Sequence, residues 1–83
     1  MEISVGSVVR SKAGHDKGRI FAVLAIAADN AFIADGDTRK IENQKKKNLK
    51  HLTPVGKLNS AVNENTENSA LRKLLKQFER CSQ

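Results

Sequence analysis

The chain has 83 residues and carries 15 Lys and Arg against 9 Asp and Glu, a formal net charge of +6. That length supports one domain, which buries only about 60% of the surface its unfolded chain exposes and leaves little room for an elaborate catalytic cleft. With no Trp, no Tyr and three Phe (Phe21, Phe32, Phe78), the core must be built from Val, Ile, Leu and Ala; recognition of single strands by base stacking is disfavoured, whereas the basic balance favours a polyanionic partner.

In chain order, Val5, Val8 and Val9 among polar neighbours predict a first strand over residues 7–11. It ends in a glycine-bracketed basic loop, Lys12-Ala13-Gly14-His15-Asp16-Lys17-Gly18-Arg19. The next run, Ile20-Phe21-Ala22-Val23-Leu24-Ala25-Ile26, is continuously apolar and bounded by Gly18 and the turn pair Asp29-Asn30, which suits a buried strand better than a helix. Ala31 to Ala34 resumes as its hairpin partner, and Asp35-Gly36 has the composition of a two-residue hairpin turn. Further short strands are expected over residues 38–42 and 48–52, with Lys45-Lys46-Lys47 in a loop between them, after which Pro54 and Gly56 close the domain.

Five short strands in about 50 residues point to a mainly β fold, a small SH3-like barrel over residues 1–57. Residues 58–68 are polar and Asn-rich and read as a linker. Over residues 69–81, Leu71, Leu74, Leu75 and Phe78 fall at helical spacing, with Asn68 or Ser69 as N-cap, which predicts a C-terminal amphipathic helix of about three turns. Such a helix is too short to be stable alone in water, so its apolar stripe must dock on its own barrel or on a partner.

Two basic blocks carry the candidate chemistry. The first is Arg10, Lys12, Lys17 and Arg19 around Gly14 and Gly18. Glycines let backbone N–H groups approach an anion closely, and flanking cations neutralise phosphates and release counterions. A turn whose glycines serve only the backbone accounts for the same residues. The second block is Arg39, Lys40, Lys45, Lys46, Lys47, Lys50 and His51. In an extended segment Lys45 and Lys47 point to one side and Lys46 to the other. Most of these cations are Lys, a point charge without the planar fork of Arg, which favours recognition of backbone and shape over reading of bases. Eleven cations against six carboxylates up to Lys57, and four against three beyond it, put the expected footprint on the barrel.

Other chemistries lack their residues. His15 and His51 have no clustered Cys or carboxylate at ligand spacing, so no metal is expected. Gly14-His15-Asp16-Lys17-Gly18 lacks the Walker spacing, and Asp35, Asp37 and Glu42 fit turn chemistry better than paired catalytic carboxylates. The expectation is a protein that is not an enzyme and has no cofactor or small-molecule substrate. Cys81, the single cysteine, cannot form an internal disulfide and reads as a free, inert thiol in a reducing compartment. The N-terminal residues show no basic region followed by an apolar run, and no window approaches the roughly 18 apolar residues of a membrane span. A soluble, cytoplasmic protein is expected.

The segment Val5-Gly6-Ser7-Val8-Val9-Arg10-Ser11-Lys12-Ala13-Gly14-His15-Asp16-Lys17-Gly18-Arg19, followed by the long apolar strand, resembles a KOW motif, with Gly18 at the position of that motif's characteristic glycine. Lys45-Lys46-Lys47-Asn48-Leu49-Lys50-His51-Leu52 adds to the likeness. KOW-domain RNA-binding proteins of the type of large-subunit ribosomal protein fourteen of archaea and eukaryotes, and their small bacterial relatives, also close their barrel with a basic run leading into an Asn-hydrophobic-Lys-His-Leu strand. The resemblance spans residues 3–55 and leaves the tail unexplained. It implies an SH3-like barrel that binds RNA without catalysis, here ribosomal RNA of the large subunit, with ribosomal or other translation proteins as further partners. The alternative is a protein-binding KOW adapter in translation or transcription, recruiting its partner through Leu71, Leu74, Leu75 and Phe78.

Overall fold

The computed structural model describes residues 2–12, 14–58, 62–63 and 65–81, without the side chain of Cys81. Residues 59–61 and 64 of the expected linker, Ala13 of the basic loop and the expected inert thiol of Cys81 lie outside the described residues. The strands are β1 (Ser7–Ser11), β2 (Ile20–Ala27), β3 (Asn30–Ala34), β4 (Lys45–Asn48) and β5 (Leu52–Lys57), with 3-10 turns at Ile41–Asn43 and Leu49–His51 and one helix, α1 (Asn68–Cys81). Residues Ile20 to Leu24 are buried one after another. That burial on both faces explains why β2 reads as a continuous apolar run rather than an alternating one.

The sheet is antiparallel, in the order β4-β3-β2-β1-β5. Its first face presents Val8, Ile20, Ala22, Leu24 and Ala34, covered by Ile41, Val62, Leu71 and Leu75. The second presents Val9, Phe21, Val23, Ala31, Ile33 and Leu52, with Ile3 and Leu49 packed against them.

The expected SH3-like barrel is not formed: the sheet is open, with β4 and β5 at its two edges and no ladder between them. A flat five-stranded sheet would hold its edges about 19 Å apart, whereas a three-residue 3-10 turn advances only about 6 Å, so the sheet must coil strongly. Ladder slips between Val8 and Val9 against β5, and between Val23 and Ala25 against β3, supply that bending. At the corner between β4 and β5 the backbone groups continue the ladders to β3 and β1. Leu49 N–H donates to the Asp29 carbonyl at 2.8 Å, and Lys12 N–H donates to the His51 carbonyl at 2.9 Å.

Several local expectations are also corrected. The β2–β3 turn consists of Ala28 and Asp29, since Ala27 already pairs with Asn30. Asp35-Gly36 is not a two-residue hairpin turn: the Asp35 carboxylate accepts the N–H groups of Asp37 and Arg39 and the Thr38 hydroxyl, all at 2.8 Å. These local bonds hold a loop where a strand over 38–42 was expected. Lys45-Lys46-Lys47 is strand β4 rather than loop, residues 49–51 form a 3-10 turn, and Pro54 and Gly56 lie within β5.

Helix α1 lies on the first face, seated by two glycines. At Gly36, φ +78°, a Cβ would overlap the Asn68 carbonyl oxygen and stand 3.0 Å from Arg72 N. At Gly56 a Cβ would stand 2.5 Å from two ring atoms of Phe78. The helix begins at Asn68, so neither Asn68 nor Ser69 precedes it as a cap. The Asn68 side chain bonds outward instead, accepting Ile41 N–H at 2.7 Å and donating to Glu42 Oε1 at 2.6 Å.

Gly56→Ala is expected to destabilise by about 1–3 kcal/mol through overpacking on Phe78. In a Phe78→Ala background the same change should cost nothing or stabilise slightly, because Ala loses less backbone entropy than Gly in a strand. Urea unfolding of the four-member cycle checks this, and equal losses in both backgrounds would show that the ring is not seated there.

Candidate functional site

Strand alternation divides the first basic block. Arg10 shares the first face of the sheet with Val8, whereas Ser11 shares the second with Val9. Arg10 Nη1 donates to the Gly18 carbonyl at 2.7 Å and Arg19 Nη1 to Thr38 Oγ1 at 3.0 Å. Within the loop, Gly18, at φ +88°, gives its N–H to the Ser11 carbonyl at 2.9 Å, and Arg19 N–H donates to the Asp16 carbonyl at 2.9 Å. Lys17 N–H reaches the Gly14 carbonyl at 3.2 Å. These peptide groups close the turn, so the Gly18 N–H serves the loop itself; among its described residues the side chains of Lys12, His15, Lys17 and Arg19 are exposed.

The second block meets this loop. Lys45 and Lys47 stand opposite Ile33 and Ala31 in the β3–β4 ladder, which puts them on the second face. Lys45 Nζ pairs with Asp16 Oδ2 at 2.7 Å, and Lys47 Nζ donates to the buried Ser11 Oγ at 2.5 Å. Gly14 lies beside the same lysine, a Cβ there standing 4.0 Å from Lys47 Nζ. The Asp16 carboxyl is held below the ordinary aspartate range, chiefly by the Lys45 hydrogen bond, with partial burial opposing it and the charges of Lys45, Lys47 and Arg39 adding to it.

Lys45 and Lys47 are therefore half-buried structural cations, while Lys46, Lys50, His51 and Lys40 are exposed. Arg39 is half-buried and directs Nη1 toward the Asn43 carbonyl at 3.4 Å. Beside the first 3-10 turn, the Glu42 carboxyl is held low, first by the Asn68 amide and then by its own backbone N–H. Among the described residues, no three His, Cys, Asp or Glu gather as a metal site, and no helix is long and apolar enough to cross a membrane.

Sequence reasoning missed a second basic surface. Arg10 and Arg19 share with Arg72 and Lys76 of α1 a groove of about 290 Å³, whose walls also include Asp35, Asp37 and Glu79. The available signal was the spacing of Arg72 and Lys76, four apart and next to the buried Leu71 and Leu75. A net-charge count of the tail concealed it. The apolar stripe itself is turned inward: Leu71 and Leu75 are buried, and Leu74 and Phe78 pack half-buried, on the chain's own sheet. No family model matches this chain, and no curated protein matches it.

Because the Asp16 pKa is lower folded than unfolded, its contribution to stability is complete above the ordinary aspartate range and is lost as pH falls through the folded pKa. The side chains of Lys45 and Asp16 are 33% and 18% exposed, so Asp16→Asn should cost about 0.5–1 kcal/mol at neutral pH. That gap should shrink once pH falls below the ordinary aspartate range. Urea titrations of both proteins at neutral and acid pH read the gap, and a constant difference would mean that the ion pair is not its source.

Proposed function

We propose that this is a non-catalytic, cytoplasmic RNA-binding protein related to the KOW type, which holds structured RNA, ribosomal RNA of the large subunit, by its phosphate backbone. The observation that carries this reading is the meeting of the two basic blocks. Lys12 N–H is bonded to the His51 carbonyl, Lys45 to Asp16 and Lys47 to Ser11. Lys12, Lys50 and His51 are thus exposed side by side, with Lys17 on the same loop.

Cations clustered on one rim release condensed counterions when they meet a phosphate backbone. Of the carboxylates nearby, Asp16 is paired with Lys45, Asp35 accepts from its own turn and Glu42 accepts from Asn68. An adapter role would require the apolar stripe of α1, and the burial of Leu71 and Leu75 on the chain's own sheet argues against it.

With about five phosphates contacted, the log–log slope of RNA affinity on salt should be roughly −3.5 to −4.5. Replacing Lys12, Lys17 and Lys50 together by Gln should make that slope shallower by about 2–3 without lowering the melting temperature, since all three are exposed. Lys45→Gln with Lys47→Gln should lower the melting temperature instead. A wild-type slope near zero, or unchanged affinity in the triple variant, would reject the reading.

A further inference from the structure

The groove between α1 and the base of the β1–β2 loop has no part in the rim just described. Four cations from three segments converge on it: Arg10 from β1, Arg19 from the loop, and Arg72 and Lys76 from α1. Two of them are held in place by the chain. Arg10 Nη1 is bonded to the Gly18 carbonyl and Arg19 Nη1 to the Thr38 hydroxyl. Each guanidinium carries five N–H donors in a planar fork, so one such bond orients it while leaving further donors for a ligand.

The acidic residues of the groove narrow the ligand. Asp35 is committed to the N–H groups of Asp37 and Arg39. Asp37 and Glu79 are exposed on the groove walls. A ligand that is only an anion would be repelled by both. A ligand that carries a hydroxyl donor close to its anionic group would use both kinds of wall, and a ribonucleotide does so through its phosphate and 2′-hydroxyl. At about 290 Å³ the groove is at the small end of ligand sites, enough for one nucleotide and not for a duplex.

We propose that this groove seats a single unpaired nucleotide of the bound RNA, its phosphate among Arg10, Arg19, Arg72 and Lys76 and its ribose hydroxyl against Asp37 or Glu79. The proposal rests on the RNA-binding reading and deepens it: the rim holds the backbone of the structured part, and the groove takes a nucleotide displaced from a bulge or loop. It also makes α1 a wall of the binding surface, where net charge had assigned the tail no part.

Fluorescence anisotropy with a labelled RNA stem-loop carrying one bulged nucleotide, and with the DNA of the same sequence, tests this across a salt series. Arg72→Gln with Lys76→Gln should weaken RNA binding about tenfold or more at near-physiological salt and make the slope shallower by about 1.5, with an unchanged thermal melt. Asp37→Asn with Glu79→Gln should raise DNA affinity while lowering the preference for RNA over DNA. Wild-type RNA affinity in the Arg72/Lys76 variant would overturn the groove while leaving the rim's reading intact. Equal tightening on RNA and DNA in the carboxylate variant would overturn the ribose contact. Failure of the wild-type protein to bind the RNA at all would overturn the rim's reading and the groove's ligand together.

Discussion

Both faces of the central strands must be covered, and the rest of the molecule follows from that requirement. Val8 and Val9 are sequence neighbours, point to opposite sides of the sheet, and both have no exposed surface. Among the described residues there is no second sheet to supply cover. The sheet covers its second face by coiling around Phe21, Val23 and Ile33, and the first by receiving α1. A helix of 14 residues is marginal alone. Burial of Leu71 and Leu75, each contributing about 1.5–3 kcal/mol, offsets that deficit.

Covering both faces leaves the edges for charge. Strand β4 is three lysines and an asparagine, an improbable strand by propensity yet a serviceable edge, since lysines discourage pairing with another chain. Lys45 and Lys47 lie along the second face and carry their ammonium groups to Asp16 and Ser11, so their stems shield apolar surface while their heads tie β4 to the loop and to β1. The backbone positions of the exposed lysines are then set relative to one another by the same contacts that hold the sheet in shape.

What could be read from the sequence was set by how local each signal is. Strand β1 was expected over the residues it occupies, and β2 and β3 differ from expectation by a residue at an end, because apolar runs and alternation are local patterns. Strand β4 was missed because its lysines show no apolar periodicity. Strand β5 was missed because Pro54 and Gly56 look like terminators. Both are tolerated in β5, which among the described strands is an edge paired with β1, where Gly56 also gives Phe78 room to lie on the strand. The open sheet was not legible, since whether the edge strands meet depends on how far the ladder slips bend the sheet. The two basic blocks were legible as clusters in sequence. The groove was not, because docking alone brings Arg72 and Lys76 beside Arg10 and Arg19.

The docking of α1 therefore couples stability to the surface that the protein presents. Its first turn is tied to the Ile41–Asn43 turn through Asn68, and its last turns rest on β5 through Phe78. Arg72 and Lys76 lie between these two attachments, on the side of the helix that borders Arg10 and Arg19. An anion held among the four cations would bridge α1 to β1 and reduce their mutual repulsion, so it would bind the docked helix in preference to the undocked one. Binding and docking are then linked by mass action: whatever loosens either attachment weakens the groove, and whatever fills the groove favours the attached helix. Acid acts on the first attachment in the unfavourable direction, because the Glu42 carboxylate that receives Asn68 has its pKa lowered by that contact and surrenders the benefit on protonation.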